Sequence, residues 1–140
     1  MKKSTVVFDM HGIIYEHNYA RKKDLFKEIG QALSLLISYY NMGYKIVVLS
    51  SSATEHSRDV LEVLLDKYPQ VDRVKFFKEV DVLSMKYFGN KDNQGSWEAA
   101  LQPYTNIEHI YEDGEYKLKM AGQAAQALGS EPILHTSTQE

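Results

Sequence analysis

The chain has 140 residues, of which 44% are hydrophobic and 25% are charged, and these values indicate one globular domain, 1–140, with a sizeable core. Its net charge of −3 argues against a globally basic nucleic-acid binder or a membrane-surface protein, although a local basic groove is compatible with it. Because the chain contains no cysteine, disulfides, thiolate metal sites and cysteine nucleophiles are excluded.

From its N-terminus, the chain alternates between predicted strands and predicted helices. Residues 4–9, "STVVFD", are β-branched and apolar at their centre, which is typical of a strand covered on both faces. We expect the following helix to start at an N-cap, Asp24, and to end before Gly43. The apolar stripe of this helix recurs at helical spacing and comprises Leu25, Phe26, Ile29, Ala32, Leu33, Leu36, Ile37 and Tyr40.

The rest of the chain continues the same alternation. The predicted strands are 44–50 ("YKIVVLS"), 71–77 ("VDRVKFF"), 107–112 ("IEHIYE") and 131–136 ("EPILHT"). The predicted helices are 55–67, which Pro69 ends, 93–102, and 115–128, which Gly129 ends. Strands joined by helical crossovers predict a three-layer α/β/α domain with a central, mostly parallel sheet of about five strands.

Polar side chains follow three of these predicted strands. Asp9 ends the first, Ser50 to Ser52 follow the second, and Glu112 with Asp113 follow the fourth. Parallel α/β sheets bind ligands at the carboxyl ends of their strands, so these residues define the candidate site. Carboxylates in one crevice repel each other unless one is protonated or a cation lies between them. Such oxygen ligands suit Mg²⁺, although acids at strand ends are also common as helix N-caps.

Four short motifs resemble those of the haloacid dehalogenase superfamily. "VVFDMHG" resembles its first motif, an apolar strand followed by D-x-D-G-[TV]. "IVVLSS" resembles the second motif, Lys91 in "GNKDNQGSW" resembles the third-motif lysine, and "HIYEDG" resembles the fourth motif, a strand ending in paired acids. Their order and spacing fit nearly the whole chain. More narrowly, "MGYKIVVLSS", "NKDNQGSWEAAL" and "HIYEDG" resemble the phosphatase domain of phage polynucleotide kinase.

This resemblance implies a Rossmann-like fold and a Mg²⁺-dependent phosphohydrolase that acts on phosphomonoesters. It implies that Asp9 is the nucleophile, which attacks phosphorus and forms an aspartyl-phosphate. Ser50 would donate a hydrogen bond to a phosphoryl oxygen. Lys91 would neutralise Asp9 and the transferring group.

The resemblance also implies the magnesium ligands. They would be the Asp9 carboxylate, the backbone carbonyl of His11 and an acid at 112–113. We favour Asp113 as this acid, because we expect Glu112 to face solvent. The intervals between Asp9 and the first helix, and between Ser50 and Lys91, are too short for a large cap domain. The site would therefore be open to large substrates, and equally to a protein partner.

The first motif departs from the family pattern at its centre. His11 occupies the place of the second aspartate, which protonates the leaving group and then activates water. Ile13 stands at the usual Thr or Val position, and Lys117 stands where many members carry another acid. Three interpretations of His11 follow. Imidazole ionises near neutral pH, so His11 can replace the acid–base; or the domain is catalytically degenerate and binds a ligand or protein; or the chemistry has changed.

The leading functional hypothesis is therefore a phosphatase for a phosphorylated small molecule or a nucleic-acid end, with a nucleic-acid 3′-phosphate or a nucleotide as the favoured class. The competing hypothesis is a degenerate domain that binds phosphate, nucleotide or a protein partner. No apolar run has membrane-spanning length, and the run after Lys3 is too short for a signal peptide, which favours a cytoplasmic protein. The sequence does not define an oligomeric state.

Overall fold

A computed structural model of the chain describes residues 3–17 and 26–139. In these ranges the strands are β1 (Thr5–Phe8), β2 (Tyr15–His17), β3 (Phe26–Glu28), β4 (Lys45–Ser50), β5 (Asp81–Ser84), β6 (Ile107–Tyr111) and β7 (Ile133–His135). The helices are α1 (Ala32–Asn41), α2 (Thr54–Leu64), α3 (Arg73–Glu79), α4 (Gln94–Leu101) and α5 (Glu115–Ala127), with short 3-10 turns at Leu65–Lys67 and Met85–Tyr87.

Five strands form the central sheet in the order β5-β4-β1-β6-β7, and every neighbouring pair is parallel. The chain first builds outward from β1 through β4 to β5, and then returns to the other side of β1 for β6 and β7. The strand order thus reverses beside β1, which is where α/β sheets of this kind open a crevice for a ligand. The predicted α/β fold with a parallel five-stranded sheet is confirmed.

Apolar side chains from both faces of the sheet form two cores. Val6 and Phe8 of β1 face the core shared with α1, α2 and α3, whereas Val7 faces the core shared with α4 and α5. β4 alternates in the same way. Because the central strands are buried on both sides, they appear in the sequence as continuous apolar runs.

The predicted strand at 71–77 is wrong, because these residues form most of α3. Asp72 caps this helix by accepting a hydrogen bond from the Lys75 amide (3.2 Å). Phe76 is the helix residue that is fully buried. The fifth strand of the sheet is instead β5, whose polar first residue, Asp81, pairs with Lys45 (3.0 Å).

The first helix starts later than predicted. The predicted N-cap Asp24 and the first stripe residue Leu25 lie outside the described residues. Phe26 belongs to β3, which pairs antiparallel with β2. Glu28 then caps α1 from outside the helix, because its buried carboxylate accepts hydrogen bonds from the Leu33 amide (2.9 Å) and the Tyr68 hydroxyl (2.9 Å). This pair of strands follows Asp9 directly and lies beside the candidate site.

None of the helices in the described part of the chain combines the length and the apolar character that crossing a bilayer requires.

Candidate active site

The backbone places three acids at adjoining strand ends. The Asp9 amide donates to the Tyr111 carbonyl (2.9 Å), and the Glu112 amide donates to the His135 carbonyl (2.9 Å). Both acids therefore continue the hydrogen-bond ladder one residue past their strands. Asp9 and Glu112 are buried, and Asp113 beside them is exposed.

Lys91 crosses from the loop before α4 into the gap between these acids. Its ammonium lies 2.7 Å from Asp9 Oδ1 and 2.7 Å from Glu112 Oε1, and only 2% of the side chain is exposed. Asp9 Oδ1 also accepts a hydrogen bond from the Met10 amide (2.8 Å). The structure thus brings together Asp9 and Lys91, which are far apart in sequence, as the motif resemblance predicted.

The pKa values of the two buried acids, Asp9 and Glu112, are shifted in opposite directions. Burial alone would raise the pKa of Asp9, but the Lys91 charge and hydrogen bonds with Glu112, Lys91 and Asp113 together hold it below its ordinary value. Burial and a hydrogen bond with Asp9 raise the pKa of Glu112 to about 9. In the metal-free protein the cluster therefore favours the ionised form of Asp9 and the protonated form of Glu112.

The expectation that Glu112 faces solvent is wrong. Its side chain is 1% exposed, because the β6 ladder continues into it and turns the carboxyl inward to Lys91. The following residue, Asp113, points towards the turn at Gly12. A side chain at position 12 would collide with the Asp113 carboxylate, and Gly12 also has φ +89°, which favours glycine.

Asp9, Glu112 and Asp113 fit a hard divalent cation. Each offers a carboxylate oxygen, and these oxygens all lie within 4.8 Å of one another. Oxygen ligands suit Mg²⁺. A cation would also lower the pKa of Glu112, because opposite charge favours the carboxylate over the protonated acid.

The remaining predicted residues lie around this cluster. Ser50 is buried at the end of β4, and its Oγ accepts a hydrogen bond from the Ser52 amide (3.0 Å). The exposed ring of His11 packs edge-on against the Tyr15 ring, with centroids 5.4 Å apart. Ile13, at the second departure from the motif, is 1% exposed and packs in the core beside α1. The third, Lys117, lies in the first turn of α5 and is half-buried.

The residues that support Lys91 were not predicted from the sequence. The Trp97 indole donates to the Lys91 carbonyl (2.9 Å), and Ser96 Oγ accepts from the Asn90 amide (3.2 Å). The sequence did contain one signal for them. Asn93 precedes Ser96 by three residues, which is the spacing of a helix N-cap and its partner, and this pair follows Lys91 closely.

Comparisons with known proteins agree with this architecture. No protein-family model matches the sequence, and no curated protein matches it significantly. Among solved structures, a chain of the Pnkp1/Rnl/Hen1 RNA repair complex is 21% identical and superposes with a TM-score of 0.58 over 96% of this chain and 43% of that one. The chain thus spans less than half of that protein.

Two further structures are similar over most of both chains. D,D-heptose 1.7-bisphosphate phosphatase from B. bronchiseptica, complexed with magnesium and phosphate, is 16% identical, with a TM-score of 0.53 over 94% of this chain and 79% of that one. An uncharacterized protein from Listeria monocytogenes serotype 4b is 14% identical, with a TM-score of 0.58 over 94% and 77%. These similarities show that the chain shares the α/β fold of the three structures.

Proposed function

We propose that the chain is a Mg²⁺-dependent phosphohydrolase of the haloacid dehalogenase type, which acts on phosphomonoesters through Asp9. One observation carries this proposal: an ionised carboxylate at the end of the central strand lies 2.7 Å from a buried ammonium, with two further acids close enough to share a cation. Acids and a hydroxyl at adjoining strand ends, with a lysine that reaches them from a loop, are the groups that phosphoryl transfer requires.

In the proposed reaction, Asp9 Oδ2 attacks phosphorus while Lys91 holds Oδ1. The Asp9 O–P bond forms as the bond from phosphorus to the leaving oxygen breaks, and the leaving oxygen takes a proton. Water then attacks the aspartyl-phosphate, loses a proton, and releases phosphate and the Asp9 carboxylate. Ser50 donates to a phosphoryl oxygen, and Lys91 neutralises the charge on the transferring group.

His11 is the proposed acid–base in both steps. Its imidazole follows Asp9 by two residues and is exposed, so it is accessible to a leaving group that approaches from solvent. It would give its proton to the leaving oxygen in the first step and take one from water in the second.

Bound Mg²⁺ would supply charge neutralisation for the incoming phosphate. Asp9, Asp113 and the backbone carbonyl of His11 are the residues that we propose to hold it. Glu112 is a further candidate ligand, which ranks below Asp113 because its carboxyl group already contacts the Lys91 ammonium.

For the substrate, we favour a nucleic-acid 3′-phosphate or a nucleotide. The motif resemblance to a polynucleotide kinase phosphatase domain supports this class, as does the similarity to a chain of an RNA repair complex. The competing candidate is a degenerate domain that binds phosphate, nucleotide or a protein, and the histidine at position 11 favours it, because the family's second aspartate is missing.

A phosphatase panel with MgCl₂ tests the proposal. It should include a 3′-phosphorylated oligonucleotide, a nucleoside monophosphate, a sugar phosphate and a phosphopeptide. We expect hydrolysis that Asp9→Asn abolishes and that Asp59→Asn, an exposed aspartate on α2, leaves unchanged. Beryllium fluoride should give an adduct on Asp9 that ¹⁹F NMR detects. Hydrolysis that survives Asp9→Asn would refute the mechanism.

Two variants of His11 separate the enzyme from the degenerate domain. His11→Ala should slow turnover by roughly 10²-fold or more if His11 is the acid–base. His11→Asp should preserve or raise activity. If the wild type is inert on every ester and His11→Asp gains hydrolysis, the histidine is a disabling substitution and the binding function is correct.

A further inference from the structure

Trp97 makes two contacts with Lys91. Its indole N–H donates a hydrogen bond to the Lys91 backbone carbonyl (2.9 Å), and the ammonium of the same residue lies 5.4 Å from the centroid of the indole ring. Trp97 is 1% exposed and begins the second turn of the short α4 helix. One side chain thus contacts both ends of the proposed phosphate-neutralising lysine.

The segment that carries Lys91 has no regular structure of its own. It runs from the 3-10 turn at Met85–Tyr87 to α4, and three hydrogen bonds that involve a side chain join it to the first turns of α4. The Asn90 amide donates to Ser96 Oγ (3.2 Å), the Ser96 amide donates to Asn93 Oδ1 (3.0 Å), and Trp97 donates to Lys91. Of these, only the Trp97 bond is made to the lysine itself.

The Lys91 side chain must be ordered along its whole length to hold the ammonium between two carboxyl groups. Lys91 must extend a flexible four-carbon stem to reach Asp9 and Glu112, and ordering such a side chain costs rotamer entropy. Two carboxyl oxygens at 2.7 Å fix the ammonium end of the stem. The backbone end depends on Trp97, whose ring also forms an apolar wall that tolerates a cation.

We infer that Trp97 is a positioning residue for Lys91: its indole N–H fixes the lysine backbone, and its ring guides the stem so that the ammonium lies between Asp9 and Glu112. This inference rests on the proposed function for its kinetic consequence, but not for its structural one. A buried indole N–H needs some acceptor, and here that acceptor is the backbone of the same lysine whose ammonium faces the ring.

The chain offers an unusually clean perturbation, because Trp97 is its only tryptophan. Growth of a tryptophan auxotroph on β-(3-benzothienyl)alanine replaces the indole N–H by sulfur at this position alone and keeps the ring shape. Trp97→Phe is the genetic counterpart. Leu101→Ala is the matched control, because Leu101 lies one turn further along α4 in the same core but is not bonded to Lys91.

The first measurement does not depend on activity. Reductive methylation of the metal-free protein, followed by mass spectrometry, gives the reaction rate of Lys91 relative to the exposed Lys78. A buried, ion-paired amine reacts slowly. We expect Lys91 to be methylated about tenfold faster in the benzothienylalanine protein and in Trp97→Phe than in the wild type. Loss of one hydrogen bond corresponds to a factor of about ten in rate. Leu101→Ala should label it at the wild-type rate.

The second measurement is kinetic. Because Lys91 neutralises charge that develops during transfer, its displacement should lower kcat about tenfold while KM changes less than about twofold. The inference is overturned if Lys91 of the benzothienylalanine protein is methylated at the wild-type rate. It is also overturned if Leu101→Ala increases the methylation rate of Lys91 as much as the Trp97 replacements do. If the wild type hydrolyses no ester but the labelling follows our expectation, the proposed function fails and the positioning role of Trp97 stands.

Discussion

Replacing Lys91 by methionine removes the buried ammonium and keeps most of the apolar stem. The wild-type ammonium contacts two buried carboxyl groups at 2.7 Å, with side-chain exposures of 2% for Lys91, 11% for Asp9 and 1% for Glu112. Removing one partner of a buried ion pair typically costs about 3–5 kcal/mol, because the remaining charge is left uncompensated. We expect a loss of this size in the free energy of unfolding at pH 7 without metal.

Lys45→Met provides the comparison. Lys45 pairs with Asp81 at 3.0 Å, but the two side chains are 28% and 36% exposed, and exposed pairs contribute about 0–1 kcal/mol. Urea denaturation followed by circular dichroism would measure both variants. A loss in Lys91→Met no larger than that in Lys45→Met would refute the conclusion that this ammonium compensates the charge of Asp9.

Acid should reduce the penalty of Lys91→Met. The folded-state pKa of Asp9 is lowered in the wild type, so its contribution to stability is present above the unfolded pKa of about 4 and is lost as the pH falls through the folded value. Lys91→Met has already lost that contribution. The difference between the two proteins should therefore stay nearly constant from pH 7 to about pH 4 and narrow as the pH falls further, through the folded-state pKa of Asp9, and Mg²⁺ should narrow it at pH 7.

Three further predictions concern the acids. Burial raises the pKa of Glu112 to about 9, so the folded metal-free protein holds a proton that the unfolded chain releases above about pH 4.5. The free energy of unfolding should therefore fall by up to about 1.4 kcal/mol per pH unit between pH 5 and pH 9. Urea titrations at several pH values should show that Glu112→Gln flattens this slope. Mg²⁺ should raise the melting temperature, and Asp113→Asn should abolish this rise whereas Glu115→Gln, at the exposed start of α5, retains it. Glu28→Gln should cost about 1–2 kcal/mol in urea denaturation, because the buried cap of α1 is weakened, and an unchanged midpoint would contradict the capping role.

Much of the fold could be predicted because its central strands are buried on both faces. β1 and β4 are continuous apolar runs that can be recognised without knowledge of their partner strands, and β6 contains both apolar and polar residues. Each of the three ends on, or is directly followed by, a polar residue of the candidate site. The edge strand β5 could not be found in this way, since it is four residues long and begins with Asp81, whose partner Lys45 is distant in sequence.

The two errors near the helices have local causes. Residues 71–77 contain enough β-branched and aromatic side chains for a strand, but Asp72 caps the segment as a helix. Before α1, the helical spacing of Phe26 and Ile29 is coincidental: Gly30 has φ +55°, and the carboxylate that caps the helix belongs to Glu28. A cap supplied from a neighbouring strand leaves no N-cap signature in the sequence.

The structure brings together Asp9, Lys91 and the acid pair that the motifs singled out, but the sequence did not predict which of these acids is buried or how their pKa values differ. Asp9 and the acid pair could be singled out because each follows a strand at the same edge of the sheet, whereas Lys91 lies in a loop before α4 and was singled out by the motif resemblance alone. The burial of Glu112 depends on the β6–β7 ladder and on the reach of Lys91 across the sheet. These are contacts between distant segments, and only the folded structure shows which of two adjacent acids turns inward.

The single tryptophan gives the protein a built-in optical reporter. The indole of Trp97 is 1% exposed and its ring centroid lies 5.4 Å from the Lys91 ammonium, which pairs with Asp9. Indole emission responds to the electric field across the ring, and that field changes whenever the charge around Lys91 changes. Arrival of a cation or of an oxyanion at Asp9 would therefore shift the emission of the whole protein, so that occupancy of the site can be titrated in the unlabelled chain with no substrate turnover.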